Sequence, residues 1–137
     1  MTWLSLTENP KAIGSLFDSA PSLENIDFFS VKINRDGPTV EVTVSLREYP
    51  TLPPFRWQHS EVKAATLKLQ LWGLVSIQLD GWSTTNVATI TIERIDTGIL
   101  DFAAVGPVLR LHCRCEEVRI GGVSAYQRSA DDTERLP

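Results

Sequence analysis

From Asn25 onward apolar and polar residues alternate with period two, and no other feature of this chain restricts its fold as tightly. Phe29, Val31 and Ile33 alternate with Lys32 and Asn34, and Val40, Val42, Val44 and Leu46 with Glu41, Thr43, Ser45 and Arg47. The pattern returns in Leu67, Leu69 and Leu71, in Val75, Ile77 and Leu79, and in Ala88, Ile90 and Ile92. It returns again in Leu109, Leu111, Cys113 and Cys115, while Leu100, Phe102 and Ala104 make a weaker run. A last segment carries Val118 and Ile120, a Gly121-Gly122 break, and Val123-Ser-Ala-Tyr126. Successive side chains of a strand point to opposite faces, so each run reads as a strand with one dry face and one wet face. That arrangement suits an antiparallel sheet and not a parallel one, whose strands are buried on both faces by crossover helices.

Turn residues punctuate the runs: Arg35-Asp-Gly-Pro38, Gly73, Asp80-Gly81 and Asp96-Thr-Gly98. The runs on either side of Gly73 are expected to pair as neighbours. Only the first segment has helical spacing, with Ile13, Leu16 and Phe17 on one side, Asn9 as N-cap, Pro10 in the first turn and Pro21 beyond its end. The expectation is a mainly β (α+β) protein: an antiparallel meander of about seven or eight strands, strongly curved or closed into a sandwich or half-barrel, with one N-terminal helix covering an edge or a face. With 137 residues there is material for one core. Residues 1–128 are read as a single domain and 129–137 as a flexible polar tail. Between Tyr49 and Trp57 three prolines dictate a stiff, extended connection.

Composition narrows the function. The opening segment lacks a basic region followed by a sustained apolar stretch, so the expectation is a cytoplasmic protein without a secretory signal. Hydrophobic residues make up 42% of the chain, but no apolar run is long enough to span a bilayer, so no membrane partner is expected. A net charge of −4 and a pI near 5.1 disfavour nucleic acid, which demands clustered Lys and Arg. No nucleophile elbow, phosphate loop, dinucleotide fingerprint or His-Glu-x-x-His pair occurs. Cys113 and Cys115 share one strand face with parallel side-chain vectors, a poor geometry for a disulfide, and with His59 and His112 they make a poor tetrahedral metal set. They read as small buried side chains. His112 lies between Arg110 and Arg114 on the wet face, where carboxylates of adjacent strands can pair with them. No catalytic residue, cofactor, metal or small-molecule substrate is therefore assigned.

The aromatic residues outside the alternating core are more informative. Trp72 falls on the polar side of its run, Trp82 just past the Asp80-Gly81 turn, and Trp57 at the end of the proline-rich connection. Large rings with a hydrogen-bonding tip gain most from burial in an interface, so Trp57, Trp72 and Trp82 are candidate protein-binding residues. Asp80, Asp96, Asp101, Glu116 and Glu117 are the candidate charged contacts. The competing structural reading folds the proline-rich loop over the sheet and buries Trp57 and Trp82 beneath it.

Four strings in register, Arg35-Asp-Gly-Pro38, Pro53-Pro-Phe-Arg-Trp57, Leu79-Asp-Gly-Trp-Ser83 and Val123-Ser-Ala-Tyr126, resemble the bacterial immunity protein fifty family across about residues 10 to 127. The resemblance implies a non-enzymatic immunity protein of a polymorphic toxin system, which binds and neutralises a cognate toxin domain. It carries over no catalytic residues. An acidic inhibitor complements a basic toxin, because opposed potentials speed encounter. The alternative function is a small-ligand carrier built on a barrel-like sheet, against which the bulky Val, Ile and Leu of the dry faces argue.

Overall fold

In a computed structural model that describes residues 3–14, 17, 20–46 and 62–127, the alternating runs become strands. Among the described residues there are eight: β1 (Ile26–Asn34), β2 (Thr39–Leu46), β3 (Val62–Trp72), β4 (Ser76–Asp80), β5 (Val87–Asp96), β6 (Ile99–Val105), β7 (Arg110–Cys115) and β8 (Glu117–Gln127). They form one open sheet in the order β4-β7-β6-β5-β1-β2-β3-β8, with every neighbouring pair antiparallel. The proline-rich connection and the tail after Gln127 lie outside the described residues.

The sheet divides into two four-stranded leaves. β1 and β5 join them through only two residue pairs, Ile26 with Ala88 and Asp27 with Val87. Inward side chains from both leaves meet in one core, in which Phe28, Leu67, Leu69, Leu71, Leu100, Phe102 and Leu111 are fully buried. Two bulges keep the apolar residues on the inner side. In β1 the register slips between Phe28 and Ser30, so Ile26 and Phe28 face the core before the bulge and Val31 lies opposite core-facing Val42 after it. The expected dry face of Phe29, Val31 and Ile33 is therefore corrected: Phe28 takes the core position, and Ile33, at the strand's end, is exposed. In β8 the Gly121-Gly122 pair is a bulge and not a break, and one strand runs through it.

Three further expectations are corrected. Among the described residues the N-terminal helix is reduced to a 3-10 turn at Trp3–Leu6 and a four-residue α-helical turn at Lys11–Gly14. Ile13 and Phe17 do reach the core, so the apolar spacing reflects burial more than helix. Asn9 is no side-chain cap either, because its amide is committed elsewhere. The runs flanking Gly73 do not pair: β3 lies beside β2 and β8, and β4 lies at the far side of the sheet beside β7. A simple meander is thus preserved only in β1-β2-β3 and β5-β6-β7.

At Gly73 the chain turns a corner from one leaf to the other, and β7 passes into β8 alongside it. The Val75 N–H donates to the Arg114 carbonyl at 2.7 Å and the Glu116 N–H to the Trp72 carbonyl at 2.9 Å, which carries the pairing round the bend. Gly73 has φ +65, and a Cβ there would collide with the Glu116 carboxylate folded over it.

The two edges differ. Along β8, Thr7 forms a bridge to Val118, the Glu8 N–H donates to the Val118 carbonyl at 2.9 Å, and Asn9 uses both ends of its amide on Ile120. Asn9 Nδ2 donates to the Ile120 carbonyl at 2.9 Å while Oδ1 accepts from the Ile120 N–H at 2.8 Å, as a partner strand would. β4 has no strand on its outer side among the described residues.

Candidate functional site

Two exposed regions hold the nominated side chains that come together. At the corner, Trp72 ends β3 on the outward face, opposite Thr39 of β2 and Glu117 of β8. Its Nε1–H donates to Gln70 Oε1 at 3.3 Å, and Gln70 Nε2 donates to Glu41 Oε2 at 3.1 Å. The Arg119 guanidinium lies 5.3 Å from the centroid of the indole and is held by Glu117, Nη2 to Oε2 at 2.8 Å. A surface groove of about 400 Å³ opens beside the ring, bordered by Lys32, Asn34, Asp36, Thr39, Glu41 and Gln70. Trp72, Glu116 and Glu117 are therefore neighbours, but the indole already has its polar tip and one cation engaged.

The second region is the far end of β4. Gly81 follows Asp80 with φ +77 and lies so close to the connection between β6 and β7 that a Cβ would strike the Val108 carbonyl. Buried Asn86 then fixes the loop: its Oδ1 accepts from the Ser83 N–H at 2.7 Å, its Nδ2 donates to the Ser83 carbonyl at 2.7 Å, and its carbonyl accepts from the Phe28 N–H at 2.8 Å. Between these two anchors Trp82 is held out, 41% exposed, and Leu79 before Gly81 and Val108 against Gly81 are exposed too. Asp80 stands opposite Arg110, above a shallow cavity of about 250 Å³ bordered by Gln78, Ala103, Val105 and His112. Trp82 is thus exposed, and the loop that the competing reading folds over it lies outside the described residues. Nothing in the sequence marked Val108 or Asn86 as parts of this region, because Val108 and the Phe28 partner of Asn86 come from distant segments.

The remaining candidates are engaged locally. Asp101 accepts from His112 Nε2 at 2.6 Å and lies 3.5 Å from Arg114 Nε, the pairing expected for that basic stripe. Asp96 accepts from the Thr97 N–H at 2.7 Å in the turn between β5 and β6. Trp57 and His59 lie outside the described residues. Cys113 and Cys115 are buried free thiols. Burial pushes the Cys113 thiol up to about 12, with Cys115 and Asp101 adding to the shift, and burial pushes Cys115 up to about 11. Neither is poised to act as a nucleophile. Among the described residues no helix is long and apolar enough to cross a membrane.

A family model described as Immunity protein 50 matches residues 9–126, which span all eight strands apart from the final residue of β8. No curated protein matches the chain, and no solved structure does.

Proposed function

Because this chain belongs to the Immunity protein 50 family, we propose that it neutralises a cognate toxin domain of a polymorphic toxin system by binding it, without catalysing a reaction. Family membership is the observation that carries the reading. The architecture agrees with it. Phe28, Phe102 and the leucines of β3, β6 and β7 occupy the space between the leaves that a carried ligand would need, so the outer surface is what remains for recognition. That surface presents Trp72 and Trp82, side chains suited to interface anchors, and the chain's negative balance favours a basic partner. Asp80 and Trp82 at the end of β4 are the primary contacts on this reading, with Trp72, Glu116 and Glu117 at the corner as the second set. The encounter takes place in the cytoplasm of the producing cell.

Co-expression tests this directly. Cells making the toxin domain encoded beside this chain's gene should survive when the chain is supplied, and the two should purify as a one-to-one complex. Killing that is equal with and without the chain ends the proposal.

A further inference from the structure

Resting on the toxin-binding reading above, we infer that the toxin docks on the free edge of β4 and lends one of its own extended segments as an additional strand of the sheet. The argument begins with the backbone. An edge strand presents a row of N–H and C=O groups, and natural proteins blunt such edges with proline, lysine, bulges or a covering segment. The β8 edge is covered in this way by Thr7, Glu8 and the Asn9 amide. The sequence of β4, Ser-Ile-Gln-Leu-Asp, contains no proline and no lysine, its pairing with β7 is unbroken by a bulge, and its outer side has no strand among the described residues.

Side chains point the same way. Ile77 and Leu79 lie opposite core-facing Cys113 and Leu111, so they belong to the inward apolar stripe, yet Leu79 stays 37% exposed, with no further strand beyond β4 among the described residues. Val75, at one end of β4, and Trp82 and Val108, at the other, extend the apolar border. Asp80 forms no ion pair within the described residues. The complementary occupant is an extended, amphipathic segment with large apolar side chains facing Ile77 and Leu79, a Lys or Arg beside Asp80, and an apolar group reaching Trp82. A second copy of β4 fits less well, since none of its five residues offers a cation to Asp80.

The test titrates the catalytically inactivated toxin domain encoded beside the gene against the wild-type chain and three variants, with amide hydrogen exchange followed on the wild-type complex. Trp82→Ala should weaken binding about 30-fold, the loss of an interface anchor. Leu79→Lys should weaken it at least as far by setting a charge in the inward stripe of the edge, while Lys68→Ala, exposed on β3 and away from both contact sets, should leave it within about threefold. Amides of β4 should become protected in the complex, a readout that does not depend on any variant folding. If the wild type binds but β4 amides stay unprotected and the β4 variants bind as well as it does, the docking inference falls and the toxin-binding reading stands. If the wild type does not bind, both fall. If the chain alone self-associates and Leu79→Lys abolishes that, the edge serves a second copy and the inference is overturned.

Discussion

At the β8 edge Ile120 exchanges both of its backbone hydrogen bonds with the side chain of Asn9, and Val118 behind it receives the Glu8 N–H. At the β4 edge, five residues end the sheet with no such cover among the described residues, and their apolar border is exposed. Length helps to explain the contrast. β8 runs for eleven residues, a long template for unwanted pairing, whereas β4 runs for five. The lesson is that one edge is built for stability and the other is left as surface, and variants should separate the two roles.

The largest effect is expected from Gly81→Ala, which sets a side chain at φ +77 against the Val108 carbonyl. The left-handed conformation and the collision together should cost about 3 kcal/mol or more and detach the end of β4, seen as a lower urea midpoint together with lost toxin binding. An unchanged midpoint would mean that the β4 end is not anchored there. Asn9→Ala should cost about 1–3 kcal/mol, because two backbone groups of a nearly buried residue lose their partners. Faster exchange at the Ile120 amide with unaltered toxin affinity would sharpen the division between the edges; weakened affinity would break it.

A smaller effect comes from the thiols. Cys113 lies directly behind Ile77 of β4, so its alkylation by iodoacetamide at pH 8 reports opening of that edge. It should be much slower than in urea-unfolded chain and slower still with toxin bound. With the native thiols held up to about 12 and 11 and an ordinary value of 9.0, the unfolded chain loses these protons first. The thiol contribution to stability is therefore intact below pH 9 and is lost as pH climbs toward 12, which unfolding midpoints measured across that range will follow. Least of all, Asp101→Asn should cost below about 1 kcal/mol and leave binding unchanged, since its pairs with His112 and Arg114 are partly exposed.

The strands themselves were legible because their signal is local: the alternation of Val40, Val42 and Val44, or of Leu111 and Cys113, is a property of neighbouring residues. Strand order was not, since Gly73 looks the same whether it closes a hairpin or turns a corner, and the partner that decides it, Glu116, is far along the chain. Adjacent Phe28 and Phe29 hid the parity change that the β1 bulge introduces. Asn9 before Pro10 had the look of a helix cap, and only β8 revealed where its amide goes. For the candidate site, Trp82 and Trp72 were visible as rings out of pattern, whereas the pairing of Asp101 with His112 and Arg114 and the exposure of Leu79 depend on which strands are neighbours.

The clasp between Asn9 and Ile120 joins residues 111 apart in sequence. A ribosome releases the first of them long before the second, so the growing polypeptide must wait for β8 to emerge before that rim is shielded, and until then the nascent chain carries two sticky borders instead of one.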